Sequence, residues 1–167
     1  MTLWYYEIET PLGSMKAAFD DRGKLRELAF GGLDPRATTP LPSKGQKEAH
    51  HFLIKQLEAY FNKNLRTFTV PVDPQGTDFQ KRVWDELQQI PYGQTISYLE
   101  LAKRLGDEHL VRAVGSANAA NPIAILIPCH RVIGSDRSLT GYAGGLERKE
   151  SLLKLEGAIQ TPPPLPF

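Results

Sequence analysis

Short apolar runs separated by turn residues open the chain. Residues 3–10, 14–19 and 25–30 are rich in aromatic and aliphatic side chains and flank Pro11-Leu-Gly13 and Asp20-Asp-Arg-Gly-Lys24. Glycine where a positive φ is needed makes the second a hairpin signal, so the pattern predicts a three-stranded antiparallel meander. Residues 31–45, rich in Pro, Gly, Ser and Thr and without periodicity, read as a loop. The period then changes to 3.6: Ala49, Phe52, Leu53, Leu57, Tyr60 and Phe61 share one face of a helix over 46–62. His50 and His51 lie on this helix without Cys or carboxylate at ligand spacing and read as solvated. Residues 65–72 predict a further strand, closing an N-terminal unit over 1–75.

From 76 onward helices dominate. Thr77-Asp-Phe-Gln80 and Ser97-Tyr-Leu-Glu100 are capping boxes. The first opens a helix to about Ile90, ended by Pro91-Tyr-Gly93. The second opens a short helix through Leu99, Ala102 and Leu105 that stops at Gly106. A third, over 108–120, follows almost at once, giving a helix-turn-helix outline. It is lined with small residues in Arg112-Ala-Val-Gly-Ser-Ala-Asn-Ala-Ala120, which lets it sit close to another surface, either DNA or the rest of the protein. The apolar run 123–127, stopped by Pro128, reads as a buried strand that delivers Cys129 and His130 at its end. A glycine-punctuated loop over 134–145 leads to a last helix over 146–156, with Leu152, Leu153 and Leu155 inward and Gly157 as its stop. Residues 158–167 are a proline-rich tail.

Composition adds bounds. With 167 residues, 41% hydrophobic and 23% charged, the chain can bury a sizeable core. No apolar run approaches the ~20 residues of a membrane span and no signal peptide is visible, so the expected location is cytoplasmic. A net charge of +1 neither demands nor excludes nucleic acid. The single cysteine excludes an internal disulfide and disfavours a thiolate metal site.

Cys129 is therefore either an inert core thiol or a nucleophile. A thiol reacts as thiolate and needs a base; His130 is adjacent, but neighbours on an extended chain face opposite ways, so contact requires a turn or a water. A third group should orient the imidazole, and Glu147, Glu150 and Glu156 are the candidates.

Pro128-Cys-His-Arg-Val132, preceded by Arg112-Ala-Val-Gly115 and Asn121-Pro122 and followed by Gly141-Tyr-Ala-Gly-Gly145, resembles the O6-alkylguanine-DNA alkyltransferases over about residues 76–157. The resemblance implies an α+β fold: a small ribonuclease-H-like N-terminal domain (1–75), then a mostly helical C-terminal domain with a winged helix-turn-helix (76–157). It implies a suicide repair protein that flips O6-alkylguanine, and O4-alkylthymine, out of duplex DNA and takes the alkyl group onto Cys129. By similarity, His130 is the base through a water, Glu156 orients it, Asn121 links the recognition helix to the site, and Tyr98 protonates the leaving guanine. Arg112 fills the stack, and Tyr98, Ala113, Gly115 and Ser135 contact DNA from the minor groove. Val132, Tyr142, Ala143 and Gly144 form the base pocket, with the carbonyls of Cys129 and Val132 accepting from the guanine amino group. No metal or cofactor is implied; a monomer is, with cooperative loading on DNA left open. Rival readings are a cysteine hydrolase, which needs an oxyanion hole, a non-catalytic binder of alkylated DNA, which would lack the cysteine, and a winged-helix DNA binder with an inert cysteine.

Overall fold

A computed structural model describes residues 1–160; residues 161–167 of the expected tail lie outside the described residues. Strands β1 (Trp4–Thr10), β2 (Gly13–Phe19) and β3 (Leu25–Phe30) form the antiparallel meander in that order, with Ile8 opposite Met15 and Ala17 opposite Leu28. Asp20 builds the second hairpin: its carboxylate accepts from the backbone N–H of Arg22 and Lys24 and from Arg26 Nε at 2.9 Å, while Gly23 takes φ 75°. Helix α1 (Lys44–Phe61) starts at Ser43, whose hydroxyl accepts from Gln46 N–H, and packs on β1. His51 is exposed as expected, but His50 is half-buried and stacked on Tyr6, ring centroids 3.9 Å apart.

Two expected strands are absent. Residues 65–72 bend at 66, 67 and 70 and form no ladder: Gln56 Oε1 accepts from Thr69 and Val70 N–H, and only Val72 bridges the sheet, in parallel with Leu25. The edge of β3 cannot give them more, because its middle is taken by a second segment. There Leu28 N–H donates to Pro122 O and Ala124 N–H to Leu28 O, making a single bridge to Ile123. Beyond Ile123 the chain curls. Asn121 supplies the partners a neighbouring strand would have supplied, donating from Nδ2 to Ile127 O at 2.8 Å and Ile123 O at 3.2 Å and accepting from Ile123 N–H. Ile125 is left-handed, φ 71°, which for a β-branched residue costs about 1–2 kcal/mol. Burial of Ile123, Ile125 and Ile127 offsets this, so the isoleucines are core residues of a curl and not of a strand. Cys129–Arg131 follow as a 3₁₀ turn.

The helices match the periodicity closely. The Thr77–Gln80 capping box forms in full and opens α2 (Asp78–Leu87), which stops earlier than expected as the chain tightens toward the buried Ile90. Strand β4 (Ile96–Ser97) runs into α3 (Tyr98–Arg104), capped by Ser97 Oγ; Glu100 does not reach back but pairs with Arg104. After Gly106, φ 97°, a 3₁₀ turn (Glu108–Leu110) leads into α4 (Val111–Ala119). Trp84 Nε1 donates to Ala117 O at 2.8 Å and locks α2 to α4. Strand β5 (Val132–Ile133) pairs in parallel with β4, and α5 (Leu146–Leu155) ends at Gly157, φ 73°. One contiguous apolar core runs from Phe19, Leu28 and Leu53 through Ile123, Ile127 and Trp84 to Leu152, so both halves of the chain share it. Among the described residues no helix is long and apolar enough to cross a membrane.

Candidate active site

The 3₁₀ turn settles how neighbouring Cys129 and His130 are aimed. Cys129 borders a cavity of about 70 Å³ lined by Asn118, Ala119, Asn121 and Ala124 on one side, Gly141, Tyr142, Ala143 and Gly144 on another, and Leu28, Ala29 and Phe30 of β3 on a third. His130 is fully buried behind it. Its Nε2 lies 2.8 Å from Glu156 Oε2, at the C-terminal cap of α5.

Glu156 is tied down on both oxygens. Arg131 donates from Nε to Oε1 at 2.8 Å and from Nη2 to Oε2 at 3.0 Å, and Tyr60 O–H donates to Oε2 at 2.6 Å. Burial alone would raise this carboxyl, but the hydrogen bonds and charges of His130 and Arg131 outweigh it and hold it at about 2. An ionised Glu156 only accepts, so Nε2 of His130 carries the ring proton and Nδ1 is bare. That Nδ1 is buried with no partner among the described residues. Burial also pushes the imidazole below its ordinary pKa against the pull of Glu156, keeping it neutral and available as a base. Burial raises the Cys129 thiol, while the Asn121 amide and the Lys149 cation favour the thiolate. The resting group is a thiol that needs help to ionise.

The arrangement is a buried imidazole–carboxylate pair, braced by Arg131 and Tyr60, next in sequence to a buried thiol that borders a small, partly open cavity. Two family models match the chain: 6-O-methylguanine DNA methyltransferase, ribonuclease-like domain, over residues 3–74, and 6-O-methylguanine DNA methyltransferase, DNA binding domain, over residues 78–158. The chain belongs to the 6-O-methylguanine DNA methyltransferase family. It is 49% identical over 154 residues to a methylated-DNA–protein-cysteine methyltransferase of Methanosarcina barkeri, covering 92% of this chain and 97% of the relative. A crystal structure of the Mycobacterium tuberculosis O6-methylguanine methyltransferase superposes with TM-score 0.82 at 44% identity over 94% of each chain. A Mycobacterium tuberculosis OGT in complex with DNA superposes with TM-score 0.81 at 45% identity over 92% of each.

Within this methyltransferase fold the expected site residues fall into three places. Cys129, Asn121, Tyr142, Ala143 and Gly144 border the cavity, with His130 and Glu156 behind it. Arg112 and Ala113 lie on the exposed face of α4 beside Ser116 and Ala119, for which no role was expected, and the helix ends at the cavity mouth with Ala119; Gly115 is half-buried against the Tyr98 ring. Tyr98 opens α3 and donates from its hydroxyl to Thr140 O at 3.0 Å, and burial raises its pKa. Two residues stand apart. Ser135 lines a separate depression with Thr95, Ser97 and Arg137, and Val132 is buried outside the cavity with its carbonyl accepting from Lys149 Nζ at 2.6 Å.

Four contributors escaped the sequence reading. Tyr60 looked like one more apolar-face residue of α1, and Arg131 lay unnoticed inside the motif. Lys149 is buried and donates to both Val132 O and Thr140 O, bracing the loop over the cavity, while burial pulls its pKa to about 8. Asn118, one helical turn from Val114 on the buried side of α4, donates to Cys129 O at 3.4 Å. Two asparagines, and not Asn121 alone, connect α4 and its exit to the thiol segment.

Proposed function

We propose that the chain repairs alkylated DNA by taking the alkyl group from O6 of a flipped guanine, or O4 of a flipped thymine, onto Cys129 in one irreversible turnover. The observation that carries the reading is the cavity: it starts where the exposed small-residue face of α4 ends and closes on a thiol backed by a neutral imidazole and an ionised carboxylate. A duplex lying on α4 presents its flipped base at that mouth. Small side chains at Ala113, Ser116 and Ala119 allow close approach through the minor groove, and Arg112, exposed on the same face, fills the gap in the stack.

A water relays the Cys129 proton to His130 Nδ1, and Glu156 stabilises the imidazolium that forms. The sulfur attacks the alkyl carbon; the S–C bond forms as the C–O bond breaks, and the bond pair leaves with the guanine. Tyr98, weak as an acid while buried, gives up its proton only as charge develops on the base. Electrons and protons balance without a cofactor. The product thioether is a poor leaving group in a buried site, so the protein acts once. All the groups come from one chain, which fits a monomer, and a reduced thiol that meets DNA fits the cytoplasm.

The competing hydrolase reading needs water as a second substrate and turnover. Titrating the protein with duplex DNA containing O6-methylguanine separates the two. Lesion loss should stop at one equivalent per protein; loss continuing beyond one equivalent contradicts the proposal.

A further inference from the structure

Part of the cavity wall is built by β3, a strand of the N-terminal sheet. Leu28, Ala29 and Phe30 line it together with Ala124, which β3 holds by the Ala124 N–H to Leu28 O hydrogen bond at 2.8 Å. Phe30 is the largest of these side chains and it is clamped. Gly144 presses against the ring so closely that a Cβ there would stand 2.7 Å from Phe30 Cδ2. The Arg148 guanidinium sits 4.6 Å from the ring centroid. Arg148 is itself fixed at both ends, donating from Nε to Leu12 O at 2.9 Å and from Nη1 to Gly144 O at 3.1 Å.

The chemistry gives this wall a task. Displacement at carbon requires sulfur, carbon and leaving oxygen in line, with the base on the α4 side where the duplex lies. Anything longer than methyl on the reacting carbon must then project off that line, against a side wall. The α4 side is filled by the base. Among the remaining lining residues Ala124, Ala143 and Gly144 have little to truncate, Leu28 is wholly buried in the core and Tyr142 belongs to the base pocket, which leaves Phe30 as the rigid side chain whose size sets the room for the alkyl group.

We propose that Phe30 determines which alkyl groups the site accepts, and that Arg148 is the positioning residue that holds its ring in place. The inference rests on the alkyl-transfer reading above. It makes the N-terminal sheet a specificity element of the reaction as well as a scaffold.

The test is the ratio of single-turnover rate constants on duplexes carrying O6-butylguanine and O6-methylguanine. Phe30→Ala should raise the butyl-to-methyl ratio by about tenfold, the lower range of what a steric change in an apolar pocket is worth. Phe30→Leu should raise it less, Phe30→Trp should lower it, and Arg148→Ala should move it in the same direction as Phe30→Ala. A variant that folds poorly loses active protein on both duplexes alike, which cancels in the ratio, and the opposite signs for Leu and Trp cannot come from instability. Ratios within about twofold of the wild type in the Leu and Trp variants would overturn the inference. A wild-type protein that reacts with neither duplex would overturn the alkyl-transfer reading and this inference with it, a result distinct from a reacting protein with a flat ratio.

Discussion

Four donated hydrogen bonds converge on the Glu156 carboxylate, from His130, Tyr60 and twice from Arg131, all buried. Removing the acceptor strands the Arg131 charge in the core, so Glu156→Ala should cost about 3–5 kcal/mol in urea unfolding. The pH dependence has a definite sign. Glu156 is held at about 2, below its ordinary 4.5, so its stabilisation is present above pH 4.5 and lost as pH falls toward 2. His130 acts in the same direction: its pKa is lowered from 6.5 by burial, so the unfolded chain binds the extra proton as pH drops below that value. Wild-type stability should therefore decline progressively on the acid side, and Glu156→Gln should flatten the part of the decline below pH 4.5; an unchanged slope there would remove Glu156 from the explanation. Cys129 and His130 stood out in the sequence because they are adjacent and of reactive types. Glu156 could be narrowed only to three carboxylates of the last helix, of which Glu147 and Glu150 prove exposed. Tyr60 was illegible because its hydroxyl meets Glu156 across 96 residues of sequence, and no local pattern encodes that.

At the scale of elements, periodicity and capping residues marked α1 to α5 because those signals act within a turn or two of helix. The run 123–127 does not form the expected strand because an apolar run specifies burial and not backbone path. The path is set by the Asn121 side chain and by the free edge of β3, both tertiary. The curl and the 3₁₀ turn after it are what aim Cys129 at the cavity and His130 at Glu156, which successive residues of a strand would not do. Helix α4 carries a prediction of its own. Arg112 is exposed beside small residues, outside the cavity, so Arg112→Ala should slow transfer from duplex DNA by at least about tenfold, the worth of one charge-assisted contact. Transfer from the free alkylated base should change by less than about twofold. Equal losses on both substrates would mean that Arg112 does not assist flipping.

For the whole molecule, the decisive feature is that β3 serves both halves: it accepts residue 72 at its start and residue 123 further along, and its last residues wall the cavity. The thiol that is to be alkylated is 93% buried in that junction by complement of its 7% exposure, with Asn118 and Asn121 bonded around it. An added methyl or larger group on the sulfur disturbs the hydrogen bonds by which Asn118 and Asn121 hold the thiol segment, at about 1–3 kcal/mol. Alkylated protein should accordingly melt about 3–10 °C lower than unreacted protein in calorimetry; an unchanged or raised Tm would show that the junction absorbs the group without strain. That coupling was not visible in the sequence, where the two halves look separable at 75.

The claim on which the rest depends is that Cys129 itself receives the alkyl group. The most direct measurement is the intact mass of the protein after incubation with duplex DNA containing O6-methylguanine, followed by mapping of the modified peptide. One added methyl per molecule, on the peptide containing Cys129 and absent in Cys129→Ser, is the expected result. Lesion loss with an unmodified protein mass, or a methyl located on any other residue, would contradict it.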